Sequence, residues 1–274
     1  MGSGAAGSCG GIGIFRKAPI ANASYVALGS SFAAGLGLGD RVAGSPMISQ
    51  RTINGYPQQL ARLLKIASFT DMTSSGATVR HVLHGGQLGL GPQIEALGPD
   101  TRLVTLTGGG NDVGYVGDLT AMAYGNRKGV IGLLVGRFWK GAKPVGERDF
   151  AGLEQNLVAL FHEIRHRSPQ ARIVVATYPR ILPEAGTCAK LGISEAQAET
   201  MRPVADRLAE VTRSAAVQAH AIVVDMASRS AGHDACSAEP WVNGIKPERG
   251  APFHPTLAGA EATALAIATA LSGF

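Results

Sequence analysis

Short apolar runs alternate with helical stretches along this chain, and that alternation limits its fold more than any other feature. Strands are expected at Tyr25–Leu28, Ser68–Met72, Leu103–Thr107, Arg172–Thr177 and Ala221–Asp225. Helices are expected over Gly55–Leu64, Phe150–Arg167, Ser194–Ala219 and Thr256–Leu271. Strands separated by helices of this length build a parallel sheet, with helices packed on its faces. The expected class is therefore α/β, a three-layer α/β/α sandwich around a central parallel sheet. Sites in such sheets lie at the carboxyl ends of the strands. No repeat or internal boundary breaks the pattern, so residues 24–274 read as one domain. Residues 1–23 read as a disordered tail or the remnant of a leader. They lack a basic start and any continuous apolar stretch before Phe15, although Ala21-Asn22-Ala23 is similar to a cleavage site.

Four segments carry chemistry. The first, Gly29-Ser30-Ser31, ends the first strand, where a sharp turn can present a serine hydroxyl. The second and third are Ser75-Gly76-Ala77 and Gly108-Gly109-Gly110-Asn111-Asp112, each a few residues past a strand. The fourth is Pro252-Phe253-His254-Pro255, just before the last helix. Taken singly, these are a turn serine, a turn glycine, a capping Asn and a surface His. Together they supply a complete acyl-transfer set. A serine hydroxyl needs a base to take its proton, and an imidazole titrates in the right range. An oxyanion needs fixed donors. Gly76 lets its backbone approach closely, and the Asn111 amide donates at any working pH. Asp112 reads as a brace for the loop.

In these four blocks the chain resembles the SGNH (GDSL-type) hydrolases, whose Ser, Gly, Asn and His match Ser31, Gly76, Asn111 and His254 in order. The resemblance spans roughly residues 24–272. It implies a flavodoxin-like fold and a carboxylic-ester hydrolase (esterase or lipase) acting through an acyl-enzyme, with no cofactor or metal. Ser31 would be the nucleophile, His254 the base, and Gly76 and Asn111 the oxyanion donors. Small-molecule and lipid esters are both open as substrates.

Two positions depart from the family pattern. Ser30 stands where an Asp is usual, and is read as a residue of the turn, since Ser also caps helices well. Ala251 stands where the family has an Asp three residues before the His. Either the Ala251 backbone carbonyl orients His254, which is the favoured reading, or a remote acid such as Asp234 or Glu248 reaches it. The missing acid also keeps open a non-catalytic binding module on the same fold. The three cysteines, Cys9, Cys188 and Cys236, are either free thiols or one Cys188–Cys236 disulfide with Cys9 left over. The resemblance to secreted members favours the bridge, and with it an extracellular or cell-envelope location.

Other classes fit less well. No apolar run approaches the ~20 residues of a membrane span. The net charge of +5 is scattered and only 5% of residues are aromatic, so no nucleic-acid stripe forms. The glycines before Asn111 lack the Lys-Ser/Thr of a phosphate loop. His162-Glu163-Ile164-Arg165-His166 matches the zinc-hydrolase pattern. In helical phase, however, both histidines fall opposite the apolar stripe of Leu153, Leu157, Leu160, Phe161 and Ile164. Residues 113–149 are Gly-rich, with a helical piece near Val130–Phe138. They read equally as a pocket-shaping insertion or a plain surface excursion.

Overall fold

A strand buried on both faces needs apolar residues at nearly every position, and Tyr25–Leu28, Leu103–Leu106 and Ile173–Ala176 provide them. The computed structural model describes residues 24–273. The expected tail or leader and Cys9 lie outside the described residues. The strands are β1 (Ser24–Gly29), β2 (Ser68–Asp71), β3 (Thr101–Thr107), β4 (Arg172–Ala176) and β5 (Ile222–Val224). They form one parallel sheet in the order β2-β1-β3-β4-β5. This is the flavodoxin-like order, and it reverses between β1 and β3, where ligands bind in such sheets.

The helices are α1 (Ser31–Ala34), α2 (Tyr56–Leu63), α3 (Val79–His84), α4 (Tyr115–Gly125) and α5 (Val130–Phe138). They continue with α6 (Phe150–Arg167), α7 (Glu195–Gln218), α8 (Met226–Arg229) and α9 (Leu257–Ser272). One sheet face, through Val26, Leu28, Val104, Leu106, Ile173 and Val175, packs on α3, α4, α6 and α7. The other face, through Tyr25, Ala27, Leu103, Val174 and Ala176, packs on α2 and α9. The period-2 alternation of the strands thus feeds two cores, one per face. Helix α6 turns Leu153, Leu157, Leu160, Phe161 and Ile164 inward.

Helix ends follow their capping residues. Thr256 accepts from Gly259 N at 3.1 Å and starts α9 directly after the His254 segment. Ser194 opens α7 with a reciprocal capping box to Gln197. The sequence pattern did not predict α3 and α4. Helix α3 has only six residues. Helix α4 does carry a buried stripe (Tyr115, Val116, Leu119, Met122, Ala123), but glycines at 114, 117 and 125 mask its propensity.

Candidate active site

The site is assembled at the β1/β3 edge. Ser30 N–H donates to Thr107 O at 2.9 Å, which ties the end of β1 to the end of β3. Gln93 grips the Gly29 peptide from both sides: Gly29 N–H donates to Oε1 at 2.8 Å, and Nε2 donates to Gly29 O at 3.0 Å. The chain then turns into α1 with Ser31 at its first position. There the Ser31 N–H has no carbonyl one turn back to bond. Sequence reasoning missed Gln93, because nothing local marks a glutamine that closes a contact 64 residues away.

Ser31 Oγ and His254 Nε2 lie 2.7 Å apart. The other ring nitrogen, Nδ1, is 2.7 Å from Pro252 O. A carbonyl only accepts, so Nδ1 carries the hydrogen and Nε2 is left to accept from Ser31. Burial pushes the His254 ring below its ordinary value of 6.5, and the bond to Pro252 opposes this. The ring is therefore neutral near pH 7, in the tautomer able to take a proton from Oγ.

The orienting carbonyl belongs to Pro252 and not, as the sequence suggested, to Ala251. The Ala251 carbonyl instead accepts His254 N–H at 3.2 Å, closing a turn with Pro252 second and Phe253 third. Phe253 is left-handed (φ +58°) and fully buried. A left-handed third residue makes this a type II-like turn, which re-aims the peptide between Pro252 and Phe253. Neither Asp234 nor Glu248 reaches the ring. Asp234 Oδ1 accepts Cys236 N–H at 2.8 Å, and Glu248 lines a neighbouring cavity. Among the described residues, no carboxylate hydrogen-bonds His254.

The remaining blocks are tied to these. Ser74 N–H donates to Gly29 O at 3.0 Å, joining the second block to the first. Asn111 Nδ2 donates to Ala77 O at 2.9 Å, and Asp112 accepts Val79 N–H on both oxygens at 3.1 Å. Asn111 thus uses one of its two amide hydrogens on the loop and keeps the other. Gly76 is left-handed (φ +82°), and its N–H meets no acceptor among the described residues. Burial pushes the Asp112 carboxyl up to about 6, against the bond from Val79, so its part is to brace the loop.

Ser30 does not cap α1 as the sequence suggested. Its hydroxyl shares a hydrogen with Tyr178 OH at 2.9 Å, and no side-chain cap forms. Tyr178 OH also accepts Gly110 N–H at 3.2 Å, so it bridges the first and third blocks. Burial pushes this phenol up to about 12 and keeps it protonated. Gly110 is required here, since an added Cβ would sit 2.8 Å from the Tyr178 ring. Phe32 packs between Tyr178 (4.4 Å between centroids) and the His254 ring (5.1 Å). The sequence carried no sign of Tyr178, because its role exists only once β4 lies beside β3.

The His254 turn leans on residues 241–245. Val242 and Pro255 form an antiparallel bridge, and Asn243 N–H donates to His254 O at 2.8 Å. Ile245 N–H in turn donates to Lys190 O at 2.8 Å. Cys188 and Cys236 form a disulfide, with Cα atoms 5.8 Å apart, that closes the same region. A cavity of about 1340 Å³ opens beside this turn, walled by Leu38, Val242, Ile245, Arg249 and Thr256. Ser31 and His254 are not part of its wall, but Asn243, which is, donates its N–H to His254 O. On α6, His162 and His166 are exposed, and Glu163 is held by Arg167 at 2.6 Å.

The matches to known proteins agree with this architecture. The model of the GDSL-like lipase/acylhydrolase family matches residues 27–262. A lipase of Streptomyces rimosus is 31% identical over 237 residues, covering 86% of this chain and 81% of that protein. Lipase 2 of Streptomyces coelicolor is 32% identical over 248 residues, with the same two coverages. Among solved structures, a phospholipase A1 from Streptomyces albidoflavus superposes with a TM-score of 0.72 at 29% identity. That match covers 91% of this chain and 99% of the other. An extracellular lipase from Streptomyces rimosus gives 0.71 at 27% identity, covering 90% and 99%. With the family model matched over most of its length, a flavodoxin-like sheet and two lipases above 30% identity, the chain belongs to the GDSL-like lipase/acylhydrolase (SGNH) family and is a carboxylic-ester hydrolase.

Proposed function

We propose that the chain hydrolyses esters by a Ser31–His254 dyad through an acyl-enzyme. Ser31 Oγ attacks the ester carbonyl carbon while its proton passes to His254 Nε2. The negative charge on the carbonyl oxygen is met by the N–H groups of Ser31 and Gly76 and by the second Asn111 amide hydrogen. Collapse breaks the bond to the alcohol, which leaves with the proton from Nε2. Water then attacks the acyl-enzyme, Nε2 takes its proton and returns it to Ser31 Oγ, and the acid is released. Nδ1 donates to Pro252 throughout, fixing the ring and its tautomer. The single observation that carries this reading is the chain Ser31 Oγ–His254 Nε2–Nδ1–Pro252 O, with both contacts at 2.7 Å. The free N–H of Gly76 supports the oxyanion role.

Lipid esters are the proposed substrates, in line with the lipase and phospholipase relatives. An extracellular or cell-envelope site is proposed with them. The disulfide supports it, since such bridges persist in oxidising compartments; so does the extracellular S. rimosus relative. Fluorophosphonate labelling tests the core of the reading. Mass should appear on Ser31, and Ser31→Ala should lose roughly 10⁴-fold or more of p-nitrophenyl ester turnover while staying folded. Label on Ser30, or none at all, would overturn the dyad and favour a binding module.

A further inference from the structure

Most helices of this fold turn their apolar side inward, but α5 carries apolar side chains on its outward side as well. Val130, Leu133, Leu134 and Phe138 are 71%, 75%, 51% and 79% exposed. At ~100° per residue they share one arc of the helix. The opposite side, through Val135 and Trp139, is the half-buried one. Isolated exposed leucines need no explanation, but a contiguous apolar face on a helix marks an interaction surface.

The charges of the segment that carries this face are one-sided along the chain, as far as Glu147 and Asp149 beyond it. Between residues 126 and 143 the chain carries Arg127, Lys128, Arg137, Lys140 and Lys143 and no acid at all. Lys128, Arg137, Lys140 and Lys143 are exposed. Arg137 falls within the apolar arc, where its stem can lie along the leucines while its guanidinium reaches outward. An apolar stripe rimmed by cations is how a helix lies in the plane of a lipid surface that carries negative charge. A second copy of this chain would bring the same five cations to the contact, which repels.

The helix is also rooted beside the active site. Trp139 Nε1 donates to Asp118 Oδ1 at 3.1 Å, and Arg148 pairs with Asp118 Oδ2 at 2.7 Å. Arg148 also donates to Val113 O, two residues past Asn111. A surface seated on α5 would therefore lie against the segment that continues from the third block.

We infer that α5 and its flanking cations are a docking face for an anionic lipid surface. The face stands whether or not Ser31 is the nucleophile. Co-sedimentation with vesicles of ether-linked phosphatidylglycerol and phosphatidylcholine tests it, since ether lipids carry no ester to cleave. The full chain should bind the mixed vesicles, bind pure phosphatidylcholine at least ~10-fold less, and release as salt rises. Leu133→Glu with Phe138→Glu should weaken binding ~10-fold or more, with an unchanged circular-dichroism melt. Lys140→Gln with Lys143→Gln should weaken it ~10-fold and flatten the salt dependence. Ser31→Ala should sediment like the wild type, which keeps this result separate from the catalytic one. No binding of the wild type to the anionic vesicles would overturn the inference. So would binding that survives both double variants, or a dimer by light scattering that Leu133→Glu with Phe138→Glu dissolves.

Discussion

At the scale of single residues, the proposed base, His254, is held by one carbonyl. Pro252 O fixes the His254 tautomer but brings no negative charge, and burial holds the ring below its ordinary 6.5. On the proposed dyad the neutral ring is the working form, so kcat/KM on a soluble ester should rise with pH through one ionisation whose midpoint lies below 6.5. It should be flat from there through neutrality; a midpoint at or above 7 contradicts the buried ring. Without a carboxylate partner, Asp234→Asn and Glu248→Gln should each keep turnover within about tenfold. A true triad loses ~10⁴-fold on such a change, so a ~1,000-fold loss in a folded variant would reveal a hidden acid. Which carbonyl orients the ring was not legible in the sequence. It depends on the left-handed backbone of Phe253, a residue type that seldom adopts it.

At the scale of elements, the segments nearest the site are braced from outside the sheet. The Cys188–Cys236 bridge spans 48 residues and closes the region on which the His254 turn leans. By the chain-entropy model it contributes about 4 kcal/mol. Cys188→Ser with Cys236→Ser should lower Tm on the order of 10 °C. A melt unchanged by the double substitution would mean that the bridge constrains nothing. Helix α6 bears the sequence's competing motif, and packing decides its use. Its leucine stripe is buried, so His162 and His166 face solvent and Glu163 pairs with Arg167. His162→Ala with His166→Ala, and treatment with phenanthroline, should leave turnover within twofold. A loss reversed by zinc would restore the metal reading.

At the scale of the molecule, the central strands β1, β3 and β4 were readable because their runs are buried on both faces, the edge strands β2 and β5 from their short runs between helices, and long α6, α7 and α9 because one stripe is buried. The four blocks were readable because each lies in a turn with distinctive residue types. Tyr178 and Gln93 were not, since a lone Tyr or Gln gains its meaning from partners 64 to 148 residues away. The same remoteness governs Ser31 and His254, which sit 223 residues apart. Ser31 follows a strand that needs β3 before it can pair on both sides. His254 is made 223 residues later, just ahead of α9. On the proposed dyad, a growing or half-folded chain therefore carries Ser31 with no base beside it, inert toward nearby esters. Hydrolysis then begins only once the His254 turn has closed on Ser31, and recovered activity becomes a clock for the closing of that one contact.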